Sequence, residues 1–435
     1  MLRLSRLVSE PSGRVDARPA TSVFRQSAVV FAGSTALSIG GFVFHAIASR
    51  LLGVATYGTL YTLISLNTLA SLPGAVLNPV VSRFAAEFRA VQNAGHLRGL
   101  VADLWRLCVF VGSVYIAFAV LLAAPAVWYL GLPAWGLPIV GLIAAATFAL
   151  MVLRGFAQGM HDFGSYAYSS AVEGVTKVLA LAVFAAVGMR LFAGTLGFLV
   201  GTLCGVAMVA WSTMQRTSRI APVTPSYDWS RIALSSMGAA AMIVATNCMG
   251  SLDVVLVRHF FSARDAGLYS AASLGGRAVL YLVNFAPLVM LPSVTDRFAR
   301  GARTRRPFWE SFGLLLALAL CAVLGLQIAG AQLLHALVGH AFDASLPLLL
   351  PYGLAMMLLA ATNLIASYGV ATHRLGFAGP LVVGTLATLG VIASVHPSLL
   401  AVTRELLIGN AVICLLVAGA LVFQRKPRRA VMART

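Results

Sequence analysis

Residues 27–81 read SAVVFAGSTALSIGGFVFHAIASRLLGVATYGTLYTLISLNTLASLPGAVLNPVV, fifty-five residues whose one charged side chain is Arg50. On either side of that arginine lies an apolar run of roughly 20 residues, enough to cross a hydrocarbon core of about 30 Å as a helix. Within lipid such a run must satisfy its own backbone amides, so both runs are helical. The same pattern recurs to Phe423 with short polar breaks. The expected spans are Ser27 to Ser49, Tyr57 to Val81, Leu107 to Leu130, Leu137 to Leu153, Tyr166 to Val187, Phe192 to Met214, Ile232 to Val257, Gly267 to Val294, Ser311 to Leu334, Leu346 to Ala371, Gly376 to Val395 and Ala401 to Phe423.

Composition agrees: of 435 residues 60% are hydrophobic and 10% charged, against roughly 25% charged in soluble domains. The fold class is therefore an all-α polytopic membrane protein of about twelve helices. The net charge of +18 could suggest nucleic acid, but the basic residues sit in short loops, where they report topology. With both termini cytoplasmic, 24 of the 31 Lys and Arg face the cytoplasm, and Arg50, Arg190, Arg258, Arg264 and Arg404 face the other side. We therefore expect an inner (cytoplasmic) membrane protein with both ends inside and no nucleic-acid partner. All six tryptophans fall near span ends, at headgroup depth. The five cysteines lie in spans without metal-ligand spacing and read as packing residues.

The expected organisation is a cytoplasmic tail at 1–26, a six-helix bundle at 27–214, a linker at 215–231 with Pro222 and Pro225, a second six-helix bundle at 232–423 and a basic tail at 424–435. The first tail lacks an apolar core and so does not read as a secretory signal. The two bundles share a pattern. Gly58 and Tyr61 follow Arg50 much as Gly267 and Tyr269 follow Arg258, and the next helices end in Pro79, Arg83, Phe84 and in Pro292, Arg297, Phe298. Six spans per unit give both copies one orientation, related by an axis along the membrane normal, with substrate expected between the halves.

The stretches "ASRLLGVATYGTLYTLISL", "LRGFAQGMHDF" and "SLDVVLVRHFFSARDAGLYSAA", together with Glu173, resemble oligosaccharide and polysaccharide flippases, the polysaccharide transporter branch of the multidrug/oligosaccharidyl-lipid/polysaccharide exporter superfamily. The resemblance implies a V-shaped pair of bundles that carries a polyprenyl-diphosphate-linked oligosaccharide across the cytoplasmic membrane for surface polysaccharide assembly, working beside other polysaccharide-assembly membrane proteins. Its implied partners are the lipid bilayer and that lipid-linked glycan.

An ionisable residue at mid-membrane costs about 2.5–3.5 kcal/mol on insertion scales, so each is a functional candidate. Arg277 lies near the middle of the eighth span, and its planar fork suits a lipid diphosphate; the structural alternative is an ion pair with Asp253. Asp253, read as one turn from the outer end of the seventh span, could bind Na⁺ or a proton, or bond to Arg258. Glu173 and Lys177, spaced i,i+4, form either a self-neutralising pair or a gating and sugar-contacting one. Asn67, Asn284 and Asn363 offer amides for sugar hydroxyls, as do Asn78 and Asn247, and interhelical bonding accounts for them equally. His45 reads as a polar rim residue, and Gly197, Gly201 and Gly205 as a close-packing face. Pro73, Pro79, Pro287 and Pro292 should kink the second and eighth spans.

No P-loop, HExxH, GxSxG or dinucleotide glycine pattern occurs, so we expect a transporter rather than an enzyme, with no cofactor beyond Na⁺ or proton coupling. The alternatives are a cation-coupled multidrug exporter of the same superfamily and a membrane enzyme acting on lipid-linked sugar.

Overall fold

The computed structural model describes residues 20–90, 94–217, 223, 229–283 and 285–424. Asn284, most of the expected linker and most of both expected tails lie outside these. The chain is all-helical: α1 (Ala20–Ala70), α2 (Leu72–Ala90), α3 (Ala94–Leu121), α4 (Ala123–Leu130), α5 (Gly136–Gly159), α6 (Phe163–Ala186), α7 (Arg190–Thr217), α8 (Trp229–Met249), α9 (Leu252–Phe260), α10 (Ala263–Val283), α11 (Phe285–Ala299), α12 (Arg305–Leu337), a 3₁₀ turn (His340–Ser345), α13 (Leu346–Ala371), α14 (Ala378–Ser394) and α15 (Leu399–Phe423).

Among the described residues ten helices are long and apolar enough to cross a membrane. Two features raise the count to twelve crossings. First, α1 is two arms. Gly53 takes φ 71°, ψ 171°, a conformation open to glycine and strained for other residues. In an unbroken helix residues 45 and 57 would stand about 18 Å apart. Instead the Tyr57 hydroxyl lies 3.2 Å from His45 Nδ1, and the His45 and Tyr61 rings are 5.2 Å apart. The chain has folded back at Gly53, so its arms are the first span and the start of the second. Secondly, α10 and α11 together make the eighth span. The third and seventh spans are likewise broken, between α3 and α4 and between α8 and α9. An even number of crossings leaves residues 20 and 424 on one side; the other side is called the far end below.

The breaks have local causes. Pro73 opens α2 just after Ser71, and Pro287 lies in the first turn of α11; each lacks the N–H that would continue the preceding helix. Of the four prolines expected to kink the second and eighth spans, Pro73 and Pro287 stand at interruptions, whereas Pro79 and Pro292 lie inside α2 and α11. Ser262 starts α10 with a capping arrangement, its Oγ accepting from Asp265 N–H (3.1 Å) and donating to Asp265 Oδ2 (2.7 Å). Several helices outrun the expected spans: α3 starts at Ala94 rather than Leu107, carrying Arg98, Asp103 and Arg106 beyond the apolar stretch. Hydropathy marks where hydrocarbon ends, and a helix need not stop there.

Lipid tails offer no hydrophobic drive between helices, so contact depends on close backbone approach. The glycine face of α7 provides it against α6: a Cβ at Gly201 would meet Lys177 Cβ at 2.6 Å and one at Gly205 would meet Glu173 Cβ at 3.2 Å. The two halves meet on a second pair of glycines. A Cβ at Gly58 would lie 2.5 Å from Gly267 N, and Gly267 in turn abuts the Val54 carbonyl. Repeat-related residues touching each other mark where a two-fold-like axis passes between the halves.

Candidate functional site

The polar groups form three sets, taken here from the far end inward. At the far end each half lends the other an arginine. Arg258, at the end of α9, donates from Nε to Leu130 O (2.9 Å) and from Nη2 to Gly131 O (2.8 Å), at the end of α4. Arg50, at the end of the first span, donates from Nη2 to Ala336 O (2.6 Å) and His335 O (3.1 Å), at the end of α12. The first and seventh spans are repeat mates, as are the third and ninth, so this is one contact made twice. Its chemistry is the capping of C-terminal carbonyls at the negative end of a helix, His335 O being shared with Gly339 N. His259 reinforces one copy by stacking on Tyr129 at 3.6 Å, and Phe342 of the 3₁₀ turn meets Tyr57 edge-on at 5.6 Å.

Below this lies a buried chain of hydroxyls ending on Asp253. Tyr269 and Tyr352 donate to Asp253 Oδ2 at 3.0 and 2.8 Å, and Ser273 Oγ donates to Tyr352 at 3.0 Å. Tyr61, from the first half, sits 3.3 Å from Ser273 Oγ. Proton counting fixes the direction. Tyr352 gives its hydrogen to the carboxylate and must accept from Ser273, whose own hydrogen is then used, so Tyr61 is the donor to Ser273. The wire runs from one half to the acid of the other. Asp253 Oδ1 is buried and has no partner.

Asp253 opens the outer half-helix α9 immediately after the break at Gly250 and Ser251, deeper than one turn from the span's end. The bond to Arg258 considered above does not form, because Arg258 is engaged with α4. Nor is there an ion pair to Arg277, which instead donates through Nη2 to the Gly250 carbonyl freed by the break and lies 5.4 Å over the Tyr61 ring. Irregular backbone at membrane depth is tolerated when protein satisfies it, as here. Arg277 Nε is shut off from solvent and has no partner.

The third set lies within the first half. Glu173 accepts from Lys177 Nζ (3.0 Å) on Oε1 and from Arg154 Nη2 (2.9 Å) on Oε2, and Arg154 Nε donates to Ser169 Oγ (3.0 Å). All three charged residues are buried, with Lys177 Nζ 3.7 Å over the Phe198 ring. Arg154, which directly follows the expected fourth span and was counted among the cytoplasmic charges, is thus a buried residue five positions before the end of α5. Counting it with Glu173, Lys177, Asp253 and Arg277, three cations face two anions in the interior.

Among the asparagines, Asn67 is buried with its amide oxygen unpartnered. Asn363 is half-buried on α13, and Asn284 lies outside the described residues. Asn78 donates to Met151 O at 2.7 Å and Asn247 to Ile243 O at 2.8 Å. His45 bonds to the Tyr57 hydroxyl, and its ring lies 5.2 Å from that of Tyr61, the first member of the middle chain. Sequence reasoning missed Tyr57, Ser273 and Tyr352; Tyr61 and Tyr269 were visible as repeat mates, though not as donors.

No protein-family model and no curated protein matches the sequence. Solved structures do match in fold. An inward-facing multidrug resistance MATE family transporter of the MOP superfamily superposes with a TM-score of 0.72 at 11% identity, covering 89% of this chain and 96% of that one. The lipid II flippase MurJ in an inward closed conformation gives 0.70 at 11% identity over 92% and 87%. The eukaryotic MATE transporter AtDTX14 gives 0.61 at 12% over 94% and 98%. The architecture of this chain, two like-oriented helical halves meeting about Gly58 and Gly267, is therefore the fold shared by these MATE transporters and the lipid II flippase.

Proposed function

We propose that the chain is a transporter of the inner membrane, with both termini cytoplasmic, that moves a polyprenyl-diphosphate-linked oligosaccharide to the outer leaflet by alternating access. One observation carries this reading: Arg277, within the eighth span, keeps its Nε closed off from solvent and unpartnered, an available donor for a diphosphate oxygen. The net positive balance of the embedded charges, once Arg154 is included, favours an anionic cargo. The Tyr61-to-Asp253 wire joins the halves, so movement between them would break or remake it.

The test is a strain deleted for the gene and free of redundant flippases, assayed for lipid-linked oligosaccharide facing the cytoplasm. Accumulation is expected, with rescue by the wild-type chain, partial rescue by Arg277→Lys and none by Arg277→Ala. Normal surface glycan in the deletion strain would remove the substrate reading, and full rescue by Arg277→Ala would remove the site.

A second reading rests on Asp253. A buried carboxylate with one free oxygen and two tyrosine donors, and no salt bridge among the described residues, is a fit for Na⁺ or a proton, as a cation-coupled drug exporter would need. Dye efflux from proteoliposomes that requires an imposed Na⁺ or proton gradient, and that Asp253→Asn abolishes, would favour it over the flippase.

A further inference from the structure

At the far end, α12 runs to Leu337 and the chain reverses at Gly339, which takes φ 91°, ψ 171°. Residues five apart on a continuous helix point away from each other by about 140°. The reversal instead lays the His340 ring 3.8 Å from the His335 ring, centroid to centroid. Asp343 completes the group: its Oδ1 lies 2.6 Å from His335 Nε2 and its Oδ2 3.9 Å from His340 Nδ1. The three donor atoms fall within 4.8 Å of one another.

We propose that His335, His340 and Asp343 bind a divalent transition-metal cation of the zinc class, with the remaining coordination position open to water. Two imidazoles and one carboxylate are a characteristic borderline donor set, whereas calcium and magnesium require mostly oxygen ligands. Ligands at zinc distances of about 2.0–2.1 Å in tetrahedral geometry stand about 3.3 Å apart. The two His–Asp separations, 2.6 and 3.9 Å, lie on either side of that value, and all three donor atoms are within 4.8 Å of one another. A plain His335–Asp343 hydrogen bond would explain those two residues but leaves His340 against the pair at a distance too long for a hydrogen bond.

The main chain beneath the donors is held. His335 O accepts both from Gly339 N (3.1 Å) and from Arg50 Nη2 (3.1 Å), so the position from which that ring projects is fixed by outer-shell bonds. The cation would tie the end of α12, gripped by Arg50 of the other half, to the 3₁₀ turn, whose Phe342 packs on Tyr57 of the other half. This site is separate from the embedded charges and does not depend on which cargo is carried.

The test uses the full chain, purified in detergent and stripped with a chelator. Zn²⁺ titrated calorimetrically should bind at one ion per chain, and Co²⁺ should give the intense visible bands of tetrahedral coordination. His340→Ala and Asp343→Ala, both at exposed positions, should each weaken binding by about tenfold or more, while His373→Ala, at an exposed position after the end of α13, leaves it unchanged. Zn²⁺ should also raise the melting temperature of the wild-type chain and not of His340→Ala. Absence of binding, or binding undiminished in both variants, would overturn the proposal.

Discussion

Replacing Arg258 with alanine removes two charge-assisted hydrogen bonds that hold the end of α4 against α9 across the two halves. Hydrogen bonds to a charged group contribute about 1.5–3 kcal/mol each, and a cation at a helix C-terminus adds about 0.3–1 kcal/mol. Water reaches the far end once the halves part there, and it resolvates Leu130 O and Gly131 O, returning about half of that sum. The net loss to the state in which the far end is joined is therefore about 2–3 kcal/mol, a shift of roughly 30- to 150-fold in the equilibrium between joined and parted forms. Spin labels at Val187 and Val395, exposed residues just past α6 and α14 on opposite halves, report it directly. In a background without the five native cysteines, pulsed dipolar distances between V187C and V395C should move from a short to a longer population on Arg258→Ala. Arg258→Lys, which keeps the charge but not the fork, should fall between them. A distance distribution unchanged by Arg258→Ala in protein that retains its fold would refute the claim that the arginine exchange closes this end.

Three further outcomes are expected. Gly201→Val drives a branched side chain into Lys177, so a stability loss of about 1–3 kcal/mol should register as a lower melting temperature in detergent. Glu173→Gln leaves Arg154 and Lys177 buried without a counter-charge and should cost about 3–5 kcal/mol; expression and thermal stability check it, and the double variant with Lys177→Gln should be milder. Asp253→Asn preserves an oxygen for Tyr269 and Tyr352, so folding should be retained while any dependence of transport on a Na⁺ or proton gradient disappears, measured in proteoliposomes.

The twelve crossings and the like-oriented halves were legible because hydrocarbon thickness and backbone satisfaction constrain any apolar sequence. The reversal between the first two spans was legible too, since Arg50 interrupts the run, though Gly53 as its pivot was not. The recurrence of Arg50 and Gly58 as Arg258 and Gly267 announced a repeat, but not its use. That each arginine reaches a helix of the other half depends on how the third and ninth spans lie in three dimensions. Arg154 was misplaced for a different reason: an arginine next to an expected span end is indistinguishable from a topology charge until the helix is seen to continue past it. The break in the seventh span carries no proline and is marked only by the Gly250–Ser251 pair, a signal easily passed over within an apolar run, so the depth of Asp253 was misread. Tyrosines are grouped with the hydrophobic residues of the composition, and the destinations of their hydroxyls belong to tertiary structure alone.

Under the proposed function, the interrupted seventh span would make Arg277 a conditional receptor. Its guanidinium already closes a gap in a neighbouring main chain, so an incoming anion has two courses. It can share the fork, using the nitrogen that faces no one, or it can draw the whole group away and strip a carbonyl in a medium that supplies no replacement. The second course becomes tolerable only when the segment around Gly250 rewinds, which would couple occupancy of the arginine to the straightness of a helix that touches the opposite half.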